Sequence, residues 1–444
     1  MNKFRKICVY LTVFFLSMTG ASIFNVSLTK VALIPLFLSL ILDSKNIALN
    51  KTSLNKNAII LLLFYFVIII SSIFGLARQE LYSYISYKNK LFFNILQYLL
   101  LFIPITILFF LNNQKSKYTI EIKNAIIFLA KISCIWGITQ FCFWNFMKID
   151  FNDLIFNEFF KGFFGNTWSA KYQVYVNGKW DVSIRISGLS HEPAIFCLIL
   201  LLGILLDKNI LFKLLYSIAI LLSLSRAGII ILVVVLAILL VRRIKNANKN
   251  MIIRYIALIF SVCCFFLIIL GTNAFPTLKQ QFLKVIERFS LIGDSTKSTG
   301  TLRHINYIPW ALRTWTFDFN ILQKLFGVGR RVSGIAFSQN ESLKIYLDQT
   351  MLKQAWAIES DIADVLLGTG ILGLVLYFMI LFNIIKNKNF EIRMIGIIFF
   401  IYGFFYNAFI WDISSLIIMF SLLPVEYESV VEGCEINENS CYRC

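Results

Sequence analysis

Arginine is the residue type in this 444-residue chain that most directly suggests a chemistry. Its planar guanidinium group forms paired, charge-assisted hydrogen bonds with phosphate and stays protonated even when it is partly buried. Carboxylates accompany the arginines in the same polar segments, and a carboxylate can take the proton of a hydroxyl group. The combination predicts binding of a phosphate-bearing substrate together with proton transfer. The arginines in these segments are Arg185, Arg226, Arg303, Arg313, Arg330 and Arg331.

The sequence offers little for metal or nucleotide chemistry. It contains two histidines, His191 and His304, and neither belongs to an HExxH motif or to the Cys/His spacing of a zinc site. Gly327-x-Gly329 follows no predicted strand, which argues against a dinucleotide site. The chain also lacks a Walker-type phosphate loop and a Gly-x-Ser-x-Gly elbow. We therefore expect a metal-independent mechanism that uses no cofactor.

Long apolar runs must position these polar groups. The chain is 58% apolar and 15% charged, whereas a soluble domain has about 45–50% apolar and about 25% charged residues. This composition excludes a soluble enzyme, and backbone in lipid must satisfy its own hydrogen bonds, so the runs should be helices. We predict an all-α polytopic integral membrane protein with eleven to twelve transmembrane helices. The candidate spans are Ile7–Phe24, Leu28–Leu42, Ala58–Leu76, Leu91–Leu111, Ala125–Phe146, Pro193–Leu206, Ile210–Leu224, Gly228–Val241, Met251–Leu270, Ile362–Ile385, Ile395–Phe409 and Ile413–Leu423.

The distribution of basic residues predicts the orientation. With a cytoplasmic N-terminus, the short loops on that side hold nineteen lysines and arginines, and the short loops on the opposite side hold five. Because cytoplasmic loops are enriched in basic residues, we expect both termini in the cytoplasm. Much of the net charge of +18 is then a topology signal, and nucleic acid is not an expected partner. Thr19-Gly20-Ala21 resembles a signal-peptide cleavage site, but we expect the first helix to stay uncleaved.

This topology places two long loops on the external side. Binding and catalytic groups concentrate in such loops on a rigid scaffold, so the candidate site should lie there. The predicted divisions are 1–146 (N-terminal transmembrane helices), 147–192 (first external loop), 193–273 (central transmembrane helices), 274–361 (large external loop with amphipathic helices), 362–424 (C-terminal transmembrane helices) and 425–444 (short acidic cytoplasmic tail).

The first external loop ends in a polar motif that leads directly into an apolar helix. Arg185, His191 and Glu192 precede Pro193, which suits the first helical turn. These groups therefore converge at a membrane–water boundary, where they would either bind a substrate or form an interfacial cap. Arg226 lies at the same boundary between two apolar runs, and it would either bind a partner or anchor the topology. Thr277–Ile292 has apolar residues at helical spacing, which predicts an amphipathic surface helix.

An ordered set of motifs resembles the O-antigen and exopolysaccharide polymerases (Wzy-type). These enzymes belong with the O-antigen ligases among the C-type membrane glycosyltransferases. The resemblance in architecture covers nearly the whole chain, whereas the motifs cover about a tenth of it. The motifs are Arg185-x-x-Gly188-Leu189-x-x-Glu192-Pro193, Ser225-Arg226-x-Gly228, Arg303 with Trp310, Phe326-Gly327-Val-Gly329 and Gly370-Ile-Leu-Gly373.

The resemblance implies a reaction, a substrate and a location. The substrate would be an oligosaccharide repeat unit carried on undecaprenyl pyrophosphate, and the protein would join such units into a surface polysaccharide. It would lie in the bilayer of the bacterial inner membrane and act on the external face. Arg185, Arg226 and Arg303 would bind the pyrophosphate. A chain-length regulator could act as a further partner.

One position departs from the pattern of the ligases. O-antigen ligases typically carry a His-Asn pair just before the helix that begins here at Ile362, whereas this chain has Glu359-Ser360-Asp361. A carboxylate could replace the imidazole as the base, which makes Glu192, Glu359 and Asp361 the candidate catalytic residues. Ser360 and Asp361 could instead cap the helix, since both residue types suit an N-cap. The missing pair favours a polymerase over a ligase.

Other functional classes make different predictions. A ligase would transfer finished glycan to another acceptor. A flippase or other transporter of lipid-linked glycan should place charges along a central cavity, whereas the apolar runs here contain little besides Lys131. A non-catalytic assembly protein would tolerate replacement of all the arginines named above.

Overall fold

A computed structural model describes most of the chain. The described residues are 2–18, 22–23, 26–44, 56–110, 115–159, 164–165, 171–176, 179–245, 299–344, 346–347, 349–408 and 412–423. Three predicted features lie outside them: the span Met251–Leu270, the amphipathic helix Thr277–Ile292 and the tail 425–444.

Helices dominate the described residues, as predicted. The N-terminal and central helices are Asn2–Ser17, Leu28–Val31, Leu33–Ser44, Lys56–Leu76, Tyr87–Phe110, Lys115–Cys142, Pro193–Leu206, Ile210–Leu222 and Arg226–Lys245. The later helices are Thr299–Arg313, Ile321–Phe326, Ile335–Ser338, Glu341–Lys344, Gln349–Lys353, Asp361–Ile385, Phe390–Phe405 and Asp412–Leu422. Wider π-helical turns follow at Phe143–Met147, Asp153–Phe159 and Thr314–Asp318, and a 3-10 turn lies at Gln79–Ser83.

Several of these helices suit a membrane. Within the described part of the chain, three are long and apolar enough to cross one, namely Lys56–Leu76, Lys117–Met147 and Asp361–Ile385. The first of these exposes large apolar side chains on one face, including Leu63 and Phe66. A soluble protein would keep such a face from water, whereas lipid can cover it. Shorter apolar helices are Leu33–Leu42, Pro193–Leu206, Ile210–Leu222 and Ile413–Leu422.

Short strands occur within the predicted first external loop and after the first helix. Lys171–Val176 and Lys179–Ile184 pair antiparallel, with Lys171 opposite Ile184 and Val176 opposite Lys179. The residues between them in sequence are Asn177-Gly178, the dipeptide most typical of a two-residue hairpin. Ser22–Ile23 pairs with Val26–Ser27 on one side and Phe164–Gly165 on the other. The helical class is therefore accompanied by a small β component that the sequence analysis did not include.

The helix Pro193–Leu206 lies at the centre of the main core, because each of its side chains is buried. It packs against Lys115–Cys142 and Ile210–Leu222. A second group of packed helices joins Lys56–Leu76, Tyr87–Phe110 and Asp361–Ile385, and the last of these also packs on Phe390–Phe405. These two groups meet where Tyr402 donates a hydrogen bond to the carbonyl of Ala194 (3.0 Å).

The helix Asp361–Ile385 is broken at Gly370, where φ is 68° and ψ is −168°. The carbonyls freed by the break are bound by a neighbouring loop, since Val328 N donates to Leu367 O and Gly329 N donates to Gly368 O, both at 2.9 Å. Residues 326–331 therefore replace the intrahelical hydrogen bonds that the break removes. We call Asp361–Ile385 the broken helix and residues 326–331 the inserted loop.

Replacing Gly370 with alanine should destabilise the protein. The backbone conformation at Gly370 costs about 1–3 kcal/mol for a residue with a Cβ atom, and the added atom would overlap the backbone of Leu325. We expect the melting temperature of the detergent-solubilised protein to fall by several degrees, followed by tryptophan fluorescence. Leu372→Ala is the control, because this side chain lies on the same helix and is 40% exposed. Equal melting temperatures for the two variants would contradict the assigned role of the break.

Candidate functional site

The turn that carries Arg185 is held by a buried glutamine. The side-chain oxygen of Gln140 accepts hydrogen bonds from the backbone N–H groups of Ser187 (3.2 Å) and Gly188 (2.9 Å). Gly188 has a φ of 59°, and a Cβ atom there would press against Phe196. A glycine is therefore required at this turn, which fixes the direction in which the chain enters the helix Pro193–Leu206.

Glu192 faces a tyrosine from a distant part of the chain. Glu192 occupies the N-cap position of the helix Pro193–Leu206, but its side chain makes no capping hydrogen bond. Its Oε2 instead accepts a hydrogen bond from the hydroxyl of Tyr406 at 2.7 Å. The Glu192 side chain is therefore directed towards Tyr406 and does not cap its own helix.

Arg226 begins the helix Arg226–Lys245 and is half-buried. The turn before it packs closely on the helix Pro193–Leu206, because Cys197 Sγ lies 3.1 Å from the hydroxyl of Ser223. Gly228 contributes to this approach, since a Cβ atom there would meet the Cys197 side chain. The hydroxyl of Ser225 accepts a hydrogen bond from Gly228 N (3.3 Å), which caps the helix and positions Arg226.

Arg185 interacts electrostatically with both Arg226 and Tyr406. Burial lowers the pKa of the Arg226 guanidinium, and the positive charge of Arg185 lowers it further. The charged groups that act electrostatically on the Tyr406 hydroxyl are Glu192, Glu359 and Arg185. Arg185, Glu192 and Glu359 therefore lie within electrostatic reach of Tyr406, and Arg226 lies within reach of Arg185. We call Arg185, Glu192, Arg226, Glu359 and Tyr406 the arginine–carboxylate cluster.

A fully buried ion-pair network lies beside this cluster. The Arg330 side chain is 0% exposed, and its Nε donates to Asp364 Oδ2 at 2.8 Å while one Nη2 contact reaches Asp361 Oδ1 at 3.5 Å. The same Nη2 donates to the side-chain oxygen of Asn407 at 3.2 Å. The hydroxyl of Ser333 donates to the other oxygen of Asp364. A buried charge is tolerated only when it is paired and hydrogen-bonded, and this network supplies those partners.

The network also fixes the segment that carries Tyr406. Asp361 N donates to the carbonyl of Tyr406 (3.2 Å), and Asp361 Oδ2 accepts from Ala408 N (3.0 Å). The side-chain amide of Asn407 donates to the carbonyl of Ile358 (2.9 Å). The position of the Tyr406 hydroxyl, and hence of its hydrogen bond to Glu192, is set by these contacts.

The predicted site residues divide into three groups. Arg185, Glu192, Arg226 and Glu359 come together, and Glu359 is exposed. Asp361 is fully buried in the Arg330 network, so it suits positioning better than proton transfer with a substrate.

The third group consists of Arg303 and of Ser360, the predicted N-cap of the helix Asp361–Ile385. The backbone at Arg303 belongs to the helix Thr299–Arg313, and its side chain lies outside the described part. Ser360 occupies an N-cap position as expected, but its hydroxyl donates to the carbonyl of Gly403 (2.9 Å) and not to the helix.

The sequence analysis missed Tyr406, Asp364 and Asn407, and it gave Arg330 no specific role. Asp364 offered a signal, because an acidic residue one turn inside an apolar helix requires a partner. Tyr406 offered no such signal in the sequence. It is one of eighteen tyrosines in the chain, and it belongs to no motif.

The arrangement suits an anion next to a proton acceptor. Two adjacent arginines offer donors to phosphate oxygens, and the carboxylates nearby can accept a proton. Within the described ranges, no group of three His, Cys, Asp or Glu side chains is placed to hold a metal ion. No protein-family model and no curated protein matches the chain. Its function must therefore be argued from the cluster itself.

Replacing Asp364 with asparagine should destabilise the fold strongly. Removing one partner of a buried ion pair leaves an uncompensated charge, which costs about 3–5 kcal/mol in comparable cases. We expect a large fall in the melting temperature of the solubilised protein. Glu391→Gln is the matched control, because Glu391 pairs with Lys123 at 2.6 Å but both side chains are about one-third exposed, and such pairs contribute about 0–1 kcal/mol. Equal effects of the two substitutions would show that Arg330 does not depend on Asp364.

Proposed function

We propose that the chain is a membrane glycosyltransferase that polymerises oligosaccharide repeat units carried on undecaprenyl pyrophosphate into a surface polysaccharide. The observation that carries this proposal is the hydrogen bond from Tyr406 to Glu192 (2.7 Å), with Arg185 and Glu359 in electrostatic reach of Tyr406 and Arg226 in reach of Arg185. These residues are separated by up to 221 positions in sequence, from 185 to 406. The resemblance in motif order to O-antigen and exopolysaccharide polymerases supports the same function.

The arginine pair suits the leaving group of such a reaction. As the bond between the anomeric carbon and the pyrophosphate breaks, negative charge develops on the pyrophosphate oxygens. Arg185 and Arg226 bring two positive charges within electrostatic reach of one another, which suits an anion with several negative oxygens. Arg303 would join them as the motif order implies, and its guanidinium would contact the same pyrophosphate.

The carboxylates suit activation of the acceptor. A hydroxyl oxygen of one repeat unit attacks the anomeric carbon of the growing chain, and its proton passes to a carboxylate. The electron pair of the broken bond leaves with undecaprenyl pyrophosphate. Glu192 is placed for the role of base, because Tyr406 donates to Oε2 and no described residue donates to Oε1. Tyr406 donates its hydroxyl proton to this hydrogen bond, so it holds the Glu192 carboxylate in place.

The proposed setting is the bacterial inner membrane. The apolar helices would cross the bilayer with both termini in the cytoplasm, and the cluster would then lie near the external face. Lipid-linked repeat units are presented at that face, which places substrate and site on the same side. A protein that regulates chain length is a further proposed partner.

The first test is a gel of surface glycan from a strain that lacks the protein, run beside its lipid-linked intermediates. We expect the ladder of polymer lengths to collapse to a single capped repeat unit. Loss of all attached glycan with long lipid-linked chains accumulating would indicate a ligase instead. Single lipid-linked units retained on the cytoplasmic face would indicate a transporter.

Complementing that strain with variants tests the arginine pair. We expect Arg226→Ala to abolish the ladder, because loss of one donor to developing charge costs about 10²–10³-fold in rate. Arg393→Ala is the control, since Arg393 is exposed and bonds only the Asn387 carbonyl near its own helix start. A full ladder from Arg226→Ala, with protein levels equal to wild type, would contradict the proposed role.

Glutamine substitutions should assign the base. We expect Glu192→Gln to lower the rate of polymerisation of purified lipid-linked units by about 10²–10⁴-fold, the usual effect of a general base. Glu359→Gln should lower it less than tenfold, because it removes only a neighbouring charge. The opposite ranking would move the role of base from Glu192 to Glu359. Wild-type rates in both variants would exclude proton transfer to either carboxylate.

A further inference from the structure

A polar cavity of about 560 Å³ lies apart from the arginine–carboxylate cluster. Its walls come from three separate parts of the chain: the residue Arg78 after the helix Lys56–Leu76, the turn around Thr314, and the segment that includes Gln339. No residue of the cluster lines it. The volume falls within the range of about 300–1,000 Å³ that is typical of small-molecule sites.

Two groups in the cavity wall have no hydrogen-bond partner among the described residues. They are the hydroxyl of Thr314 and the Nη1 group of Arg78. The Thr314 side chain is only 1% exposed, and Arg78 uses its Nε to bind Glu80 at 2.9 Å. A buried polar group without a partner is unfavourable, so these two groups indicate that a ligand completes the site.

The remaining wall residues define the chemistry of that ligand. Gln323 and Gln339 contribute side-chain amides, which both donate and accept hydrogen bonds. Arg313 is balanced by Asp318, whose carboxylate accepts from the Asn340 amide at 2.6 Å. Mixed donors and acceptors with nearly balanced charge match the many hydroxyl groups of a sugar. Because Asp318 and Glu341 equal Arg78 and Arg313 in number, a pyrophosphate gains no net attraction from the formal charges of this wall.

We propose that this cavity binds the saccharide part of the substrate, as a site separate from the one that binds pyrophosphate. The inference rests on the proposed function, because only a polymer-forming or glycan-transferring protein requires a saccharide subsite. The apolar wall at Phe319, which is 9% exposed, supplies a surface for the apolar face of a sugar ring. The cavity would thus hold one repeat unit by its hydroxyl groups while the cluster holds the pyrophosphate.

Calorimetric titration of the full-length protein in detergent tests this site. The probe is the repeat-unit oligosaccharide released by mild acid from the surface polysaccharide of the producing strain. We expect saturable binding that weakens at least tenfold in Thr314→Val and in Gln339→Ala. Thr316→Val is the control, because Thr316 bonds the Leu312 carbonyl of its own helix and does not line the cavity. Inorganic pyrophosphate, titrated in parallel, should bind equally well to wild type and Thr314→Val.

The outcomes separate the two proposals. Oligosaccharide binding that is absent, or that is unchanged in both cavity variants, overturns the saccharide site whatever the glycan ladder shows. Saturable binding that is sensitive to Thr314→Val, in a protein whose deletion leaves the ladder intact, keeps the saccharide site and overturns the polymerase. Weakened pyrophosphate binding in Thr314→Val would show that the cavity and the cluster are one site, which also contradicts the inference.

Discussion

The buried guanidinium of Arg330 is the charge on which the geometry of the site depends. Removing a charge from water is costly, so Arg330 needs partners at fixed positions. Asp361 and Asp364 supply them from the first turn of the broken helix, where the helix dipole also favours negative charge. Because Asp361 also holds the backbone at Tyr406 and Ala408, the ion pair sets the distance between two parts of the chain. Tyr406 transmits that constraint to Glu192.

The arginine–carboxylate cluster and the Arg330 network use charge in opposite ways. In the network, one guanidinium faces two carboxylates and the side-chain oxygen of Asn407, so opposite charges lie next to one another. In the cluster, Arg185 and Arg226 raise each other's energy while the carboxylates lie around Tyr406. A rigid, compensated interior therefore supports a cluster in which Arg185 and Arg226 lie within electrostatic reach of one another. Under the proposed function, this separation would let the arginine–carboxylate cluster bind and release a substrate without disturbing the Arg330 network.

Hydropathy was sufficient to predict the helical class and most helix positions, since lipid or core must cover each apolar run. Arg185 and Glu192 were also predictable, because Pro193 marks a helix start and places both residues at its boundary. The pairing of Arg330 with Asp364 was not, since it depends on how the inserted loop packs in three dimensions. The hairpin Lys171–Ile184 carried a local signal in Asn177-Gly178 that the apolar pattern outweighed. Pairing between residues far apart in sequence is therefore the part of the structure that could not be predicted from the sequence.

The broken helix has a consequence for where the inserted loop belongs. Gly370 lies roughly 14 Å along the helix axis from Asp361, at a rise of about 1.5 Å per residue. In the proposed membrane setting, with Asp361 at the surface of a hydrocarbon core of about 30 Å, that point would fall near half depth. Residues 326–331 contact the helix there, so they would share a medium without water although they connect helices as a loop does. Surface loops usually accept an inserted epitope tag or protease site. The same insertion into residues 326–331 would therefore disrupt the fold.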